Sequence, residues 1–254
     1  MRSLVTGATA GLGAEFARQL AASGSDLVLV ARDAARLEET AAALRSAHGV
    51  KVQVLRADLA EEPDLTVVAE RLADSGSPID VLVNNAGFGL HAKLANPDLR
   101  LQRRAMDVMC WAVLALSGSA AGAMRERGNG TIINVSSLAS WTTSGNYSAI
   151  KAWVRSYSQG LSNELRGTGV TVTAACPGWV RTEFHQRAGI RTSAIPGWVW
   201  ADPGPVVQRI LRDAERGRVV TIPAARWRIA QAMLKLAPQS GVRSVSRMLV
   251  SSRD

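Results

Sequence analysis

The chain has 254 residues, 47% of them hydrophobic, and a net charge of +9, enough apolar content for one large or two small domains with a substantial core. It carries no apolar run of membrane-spanning length and no signal-peptide h-region, while Cys110, Cys176, His48, His91 and His185 are too scattered for a disulfide or a metal site; a soluble, cytoplasmic, metal-free protein is expected. The positive charge suggests acidic partners, but no Lys/Arg run interleaved with aromatics suits nucleic acid.

Residues 3–6 read as a short buried strand. Gly7-Ala8-Thr9-Ala10-Gly11-Leu12-Gly13 follows, then a helical pattern with Leu12, Phe16 and Leu20 on one side and Gly24 as a plausible C-cap. Strand, Gly-rich turn and helix aim backbone N–H groups at a phosphate. Residues 26–31 form a near-continuous apolar strand suited to a parallel sheet covered on both faces. It ends at Arg32-Asp33, where a dinucleotide fold meets the adenosine ribose. An arginine there pairs with a 2′-phosphate, so Arg32 argues for NADP over NAD; Asp33 complicates this, and Arg32 as a solvated loop residue is the other reading.

A helix over 34–47, with Leu37 and Leu44 inward, leads to a strand over 51–55 and to Asp58-Leu59 at its end. A helix over 61–73 and a strand over 79–83 follow. The strand runs into Asn84-Asn85-Ala86-Gly87, where two amides can tie neighbouring strands or leave the glycine backbone close to a ligand; both readings stand. A long helix over 98–127 precedes a strand over 131–135 ending in Ser136-Ser137. A helix running to about 166 then carries Tyr147 and Lys151 four residues apart on one face. A free tyrosine titrates near ~10; a neighbouring ammonium favours the phenolate and makes it a usable acid or base at neutral pH. A strand over 170–176 meets Pro177-Gly178-Trp179-Val180, and Thr182 follows. The unbroken alternation predicts an α/β fold: a single domain over 1–254 with a doubly wound, Rossmann-type parallel sheet.

Beyond this point the pattern is thinner. Apolar residues over 185–202 suit a lid over an apolar substrate, or core and subunit contacts. A helix over 203–216 and a last strand over 218–222 lead to a basic amphipathic helix over 226–236. From 224 to 254 the only acid is Asp254, against Arg226, Arg228, Lys235, Arg243, Arg247 and Arg253. That helix could lie on an anionic membrane; packing against its own domain or a sister subunit is the commoner use.

Together these residues resemble the short-chain dehydrogenase/reductase family in its compact single-domain form. Thr6-Gly7-x-x-x-Gly11-x-Gly13, Asn84-Asn85-Ala86-Gly87, Tyr147-x-x-x-Lys151 and Pro177-Gly178 stand in the family's order over residues 1 to about 185. The resemblance implies an oxidoreductase that interconverts a carbonyl and an alcohol by hydride transfer to or from NADP, with NAD the lesser expectation. It implies that Tyr147 moves the proton, that Lys151 lowers its pKa and binds the nicotinamide ribose, and that Ser137, or else Ser136, hydrogen-bonds the substrate oxygen. Cofactor contacts would come from Gly7, Thr9, Gly11, Leu12, Gly13, Arg32, Asp58, Leu59, Asn85, Ala86, Gly87, Tyr147, Lys151, Pro177, Gly178, Val180 and Thr182. A homodimer or homotetramer is the family expectation. One departure stands out: Met109 occupies the place of an asparagine that in many members helps hold a relay water, which brings in the alternative of a catalytically weak, cofactor-binding sensor or scaffold.

Overall fold

Apolar, β-branched runs supply the strands: β1 (Arg2–Thr6), β2 (Asp26–Ala31), β3 (Val52–Arg56), β4 (Val81–Asn84), β5 (Gly130–Val135), β6 (Val170–Ala175) and β7 (Val220–Thr221). The computed structural model describes residues 1–90, 92–184 and 196–236. The strands pair in the order β3-β2-β1-β4-β5-β6-β7, every pair parallel.

Successive strand residues feed opposite faces. Val5, Leu29, Val83 and Ile133 pack on one side with Phe16 and Leu20 of α1 (Gly11–Ala22), Leu37 and Leu44 of α2 (Ala34–His48), and Val207 and Ile210 of α6 (Pro203–Glu215). Leu4, Val28, Leu82 and Ile132 pack on the other with Leu65 and Leu72 of α3 (Glu62–Ala73), Leu116 and Met124 of α4 (Arg100–Arg127), and Leu161 of α5 (Asn146–Glu164). The chain turns from one side of β1 to the other between β3 and β4, so a crevice lies outside the C-terminal ends of β1 and β4.

Several boundaries move from their sequence expectation. Ser23, not Gly24, caps α1, and Gly24 follows it at φ +82°. The last strand shrinks to two residues, β4 starts two residues late, and α5 ends at Glu164. Within α4 the residues Asp107–Trp111 form a π-helical turn, which the apolar pattern did not announce. Contrary to the expectation of no such run, α4 is long and apolar enough to cross a membrane by length and composition, with mean hydropathy 1.4. Its Val113, Leu116, Ala120 and Met124 are buried, however, so it is the core helix of this layer. A final helix, α7 (Ala225–Leu236), lies beyond β7.

Candidate active site

The strand ends are built for a phosphate-bearing ligand. Gly7 and Gly11 take left-handed conformations at φ +66° and +55°, which lets the chain turn sharply into α1. A Cβ on Gly13 would lie 2.1 Å from the Gly7 carbonyl oxygen, so only glycine lets α1 start this close to β1. The α1 N-terminus has no side-chain cap and no acid in its first turn, leaving the amides of its first turn available to an anion. By contrast α2 is capped: Asp33 accepts a hydrogen bond from the Arg36 amide at 3.1 Å. The carboxylate that complicated the reading of Arg32 is thus engaged with its own helix, and Arg32 stands exposed at the end of β2. These features fit a pyrophosphate at Gly7–Gly13, Thr9 and Leu12 included.

Asp58 and Leu59 sit at the end of β3, Leu59 buried and Asp58 partly so. Burial pushes the Asp58 carboxyl up, but the Arg104 guanidinium at 2.6 Å, the Ala60 amide and the nearby charge of Arg32 outweigh it and hold it below the usual range. Thr182 reaches over the glycine loop: a Cβ on Gly11 would meet its Cβ at 3.3 Å.

The side-chain amides of Asn84, which ends β4, and of Asn85 after it tie neighbouring strands together. Asn85 donates to the Thr6 carbonyl at 3.0 Å and the Gly7 carbonyl at 3.3 Å, while the amides of Asn85 and Ala86 both donate to the Thr6 hydroxyl. Asn84 donates to Asn134 Oδ1 at 2.9 Å and to Ser117 Oγ at 3.0 Å, and Asn134 in turn donates to Ser158 Oγ. Gly87 keeps its backbone bare next to Met109, whose Sδ a Cβ would meet at 3.0 Å. Met109 is 1% exposed, within the π-helical turn, and packs with Cys110, Ile150, Phe88, Leu90 and Tyr147.

Tyr147 and Lys151 share the face of α5 that looks toward the ends of β5 and β6. Lys151 Nζ lies 5.7 Å from the Tyr147 ring centroid and donates to the Val135 carbonyl at 2.8 Å. Burial brings the Lys151 ammonium down to about 8, with Cys110 and Cys176 acting in the opposite direction; burial pushes both thiols up to about 11. Tyr147 also meets the Phe184 ring, with centroids 6.0 Å apart. Of the two serines, Ser136 is buried and its hydroxyl is spent on the Lys151 carbonyl at 2.7 Å. Ser137 is half-buried and accepts from the Ala139 amide, with the Pro177 carbonyl 3.5 Å away. Ser137, whose hydroxyl donates to that carbonyl, is thus the less buried of the two.

Beyond β6, Pro177 accepts from the Leu138 amide, and Gly178 gives its missing side chain to Trp227, whose ring a Cβ would meet at 2.6 Å. Val180 is buried and bridges to Ala201. The expected lid over 185–202 is described only from Pro196 onward, and its first part lies outside the described residues, as do His91 and the tail beyond Leu236. Sequence reasoning missed Trp227 under Gly178, Phe184 beside Tyr147, Arg104 on Asp58 and the two thiols flanking Lys151. Only the glycine of Pro177-Gly178 hinted at a large neighbour. Among the described residues no group of three or more His, Cys, Asp or Glu could hold a metal ion.

A doubly wound parallel sheet, a glycine turn at its crevice and a Tyr–Lys pair beside the end of β5 are the features of a dinucleotide-dependent oxidoreductase type. The short chain dehydrogenase family model matches residues 2–191, and the chain belongs to the short-chain dehydrogenase/reductase family. An uncharacterized oxidoreductase of Staphylococcus saprophyticus is 34% identical over 183 residues, 71% of this chain and 78% of that one. A short-chain dehydrogenase from Sphingobium yanoikuyae, solved with NADPH, is 34% identical with a TM-score of 0.83, covering 94% of this chain and 98% of that one. A bulky-bulky ketone specific alcohol dehydrogenase from Comamonas testosteroni is 31% identical with a TM-score of 0.79, covering 94% and 95%.

Proposed function

We propose that the protein is an NADP-preferring oxidoreductase that interconverts a bulky apolar ketone and its alcohol. The carrying observation is a buried ammonium beside a phenol at the cofactor end of the sheet: Lys151 Nζ, 5.7 Å from the Tyr147 ring. A nicotinamide held there would supply the hydride to the carbonyl carbon, or take it from the alcohol. Tyr147 then gives its proton to the carbonyl oxygen, or removes one in the reverse direction. Lys151 favours the phenolate by its charge and offers its remaining N–H donors to the nicotinamide ribose. Ser137 donates a hydrogen bond to the substrate oxygen and stabilises charge developing there. Asn85, Ala86 and Gly87 would line the cofactor with backbone, and Pro177, Gly178, Val180 and Thr182 would hold its nicotinamide end.

The preference for NADP rests on Arg32, exposed with Asp33 turned to its own helix, and on the NADPH held by the Sphingobium relative. The apolar substrate rests on Phe88, Leu90, Met109 and Phe184 around Tyr147, and on the ketone class of the Comamonas relative. Exposed Leu101, Met106, Trp111 and Leu114 on α4 support pairing of copies into a dimer or tetramer.

Following NADPH oxidation with aryl and branched aliphatic ketones beside ketose sugars tests the reading. Tyr147→Phe is expected to cut kcat by about a thousandfold while leaving NADPH affinity within about twofold. Equal turnover of parent and variant would remove the assignment. Arg32→Ala is expected to weaken NADPH about tenfold more than NADH; an unchanged ratio would place the 2′-phosphate elsewhere. Met109, buried where a polar relay group is common in the family, favours a second reading, a cofactor-binding protein of low turnover. NADPH binding without oxidation by any ketone in the panel would establish that reading instead.

A further inference from the structure

We propose that the outward face of α7, with the turn that carries Trp198, docks on an anionic membrane surface. Trp227 is buried and seats the helix on Gly178, and its Nε1 donates to the Val199 carbonyl at 3.3 Å. The face turned inward therefore carries Trp227 and Leu234. On the opposite face Ile229, Met233 and Leu236 recur at i, i+4 and i+7, a continuous apolar stripe. They are 64%, 67% and 87% exposed, and Trp198 on the adjoining turn is 71% exposed.

Charge decides what covers this stripe. Arg226 borders it on one side, Arg228 and Lys235 on the other, and α7 has no acid. Arg226 is fastened to the Trp198 turn, donating to the Trp200 carbonyl at 2.7 Å, so the tryptophan and the basic margin form one surface. A second copy docking face to face would set three cations against the same three with no carboxylate on the helix to pair them. An anionic bilayer satisfies both parts. The apolar stripe enters the headgroup boundary, the basic margins meet lipid phosphates, and Trp198 takes the interfacial position that indole favours. The sequence continues the same sign, with Arg243, Arg247 and Arg253 against Asp254 alone. On the catalytic reading above, Trp227 would then hold the substrate side of the crevice beside the bilayer, where apolar carbonyl compounds partition; the docking itself does not depend on that reading.

The test is flotation of the full chain with vesicles of phosphatidylcholine alone and of phosphatidylcholine with about a third phosphatidylserine, at ~0.1 M salt. The parent is expected to float at least tenfold better with the anionic vesicles. Arg228→Glu/Lys235→Glu and, separately, Ile229→Ser/Met233→Ser/Leu236→Ser are each expected to lose binding by at least about tenfold. Because all five side chains are exposed, melting temperatures should stay within ~2 °C of the parent. Equal flotation with both vesicle types, no flotation, or parental binding by the charge-reversed variant overturns the proposal. So does a halved sedimentation mass in the serine variant, which would identify a second copy as the occupant.

Discussion

Two buried polar regions lie within a few residues of each other in this site and obey opposite rules. Around Asn84, Ser117, Asn134 and Ser158 every side chain has a side-chain partner, and the group ties β4, β5, α4 and α5 together. Around Lys151 stand the Val135 carbonyl, two thiols and the Tyr147 ring, and among the described residues the ammonium makes one hydrogen bond where it could make three. A satisfied buried network contributes stability and fixes geometry. A buried cation left nearly alone costs stability, and the proposed function is what gives this one a reason to be kept.

The largest expected effect comes from breaking the satisfied region. Asn134→Leu keeps the volume and removes both halves of the link, leaving Asn84 short of an acceptor and Ser117 without one. The expected cost is about 3 kcal/mol, or a fall in melting temperature of roughly 6–12 °C. A loss under ~1 °C in a calorimetric scan would mean water repairs the gap, and the contrast between the regions would collapse.

The opposite sign is expected at Lys151. Burial lowers its ammonium from 10.5 to about 8, a penalty on the order of 3 kcal/mol in the folded state. Lys151→Met removes that penalty and gives up the bond to Val135, worth about 1 kcal/mol. The ligand-free variant should therefore be about 2 kcal/mol more stable than the parent at pH 7, with turnover lost. The pH dependence follows from proton counts. Between about 8 and the unfolded value near ~10.4 the unfolded parent binds more protons than the folded parent, so parent stability rises with pH there. The advantage of the variant is full below about 8 and fades toward ~10.4. Cys110 and Cys176, both near 11, remain thiols across most of that window, and Tyr147 is the other titratable group facing the lysine. A variant less stable than the parent at pH 7 would show that Lys151 is solvated.

The sheet and the cofactor turn were legible because strand periodicity and glycine spacing are local consequences of backbone sterics. The alternation of Leu4, Val5, Val28 and Leu29 gives both faces; Gly7 and Gly11 are required by their left-handed φ, and Gly13 by the Gly7 carbonyl within the motif. The Tyr147–Lys151 pair was legible for the same reason, as a helical spacing. The choice between Ser136 and Ser137 was not, since it depends on which hydroxyl the Lys151 carbonyl takes. Nor was the role of the asparagines: Asn84 finds Asn134 fifty residues away across paired strands, and no spacing rule encodes that. Trp227 on Gly178 is equally non-local, a single side chain seating a whole helix.

The smallest effect expected is at Met109, and it sharpens the comparison most finely because it moves one region toward the other. The thioether lies in the π-helical turn against Gly87 and belongs to the apolar cluster that holds Cys110 and Tyr147, both neighbours of Lys151. Met109→Asn is shorter by one heavy atom's reach at its tip and brings an amide that water can follow. Hydration relieves the penalty on the ammonium, so the Lys151 pKa should rise from about 8 and the alkaline limb of the pH–rate profile should move upward by up to about one unit. Stability should fall by about 1 kcal/mol for the amide placed in an apolar cluster, and kcat at pH 7 should change by less than about tenfold. If the limb stays in place while stability falls, Met109 is packing alone. If it moves with kcat rising, the dryness around Lys151 is a property that this chain's methionine imposes on its proton chemistry.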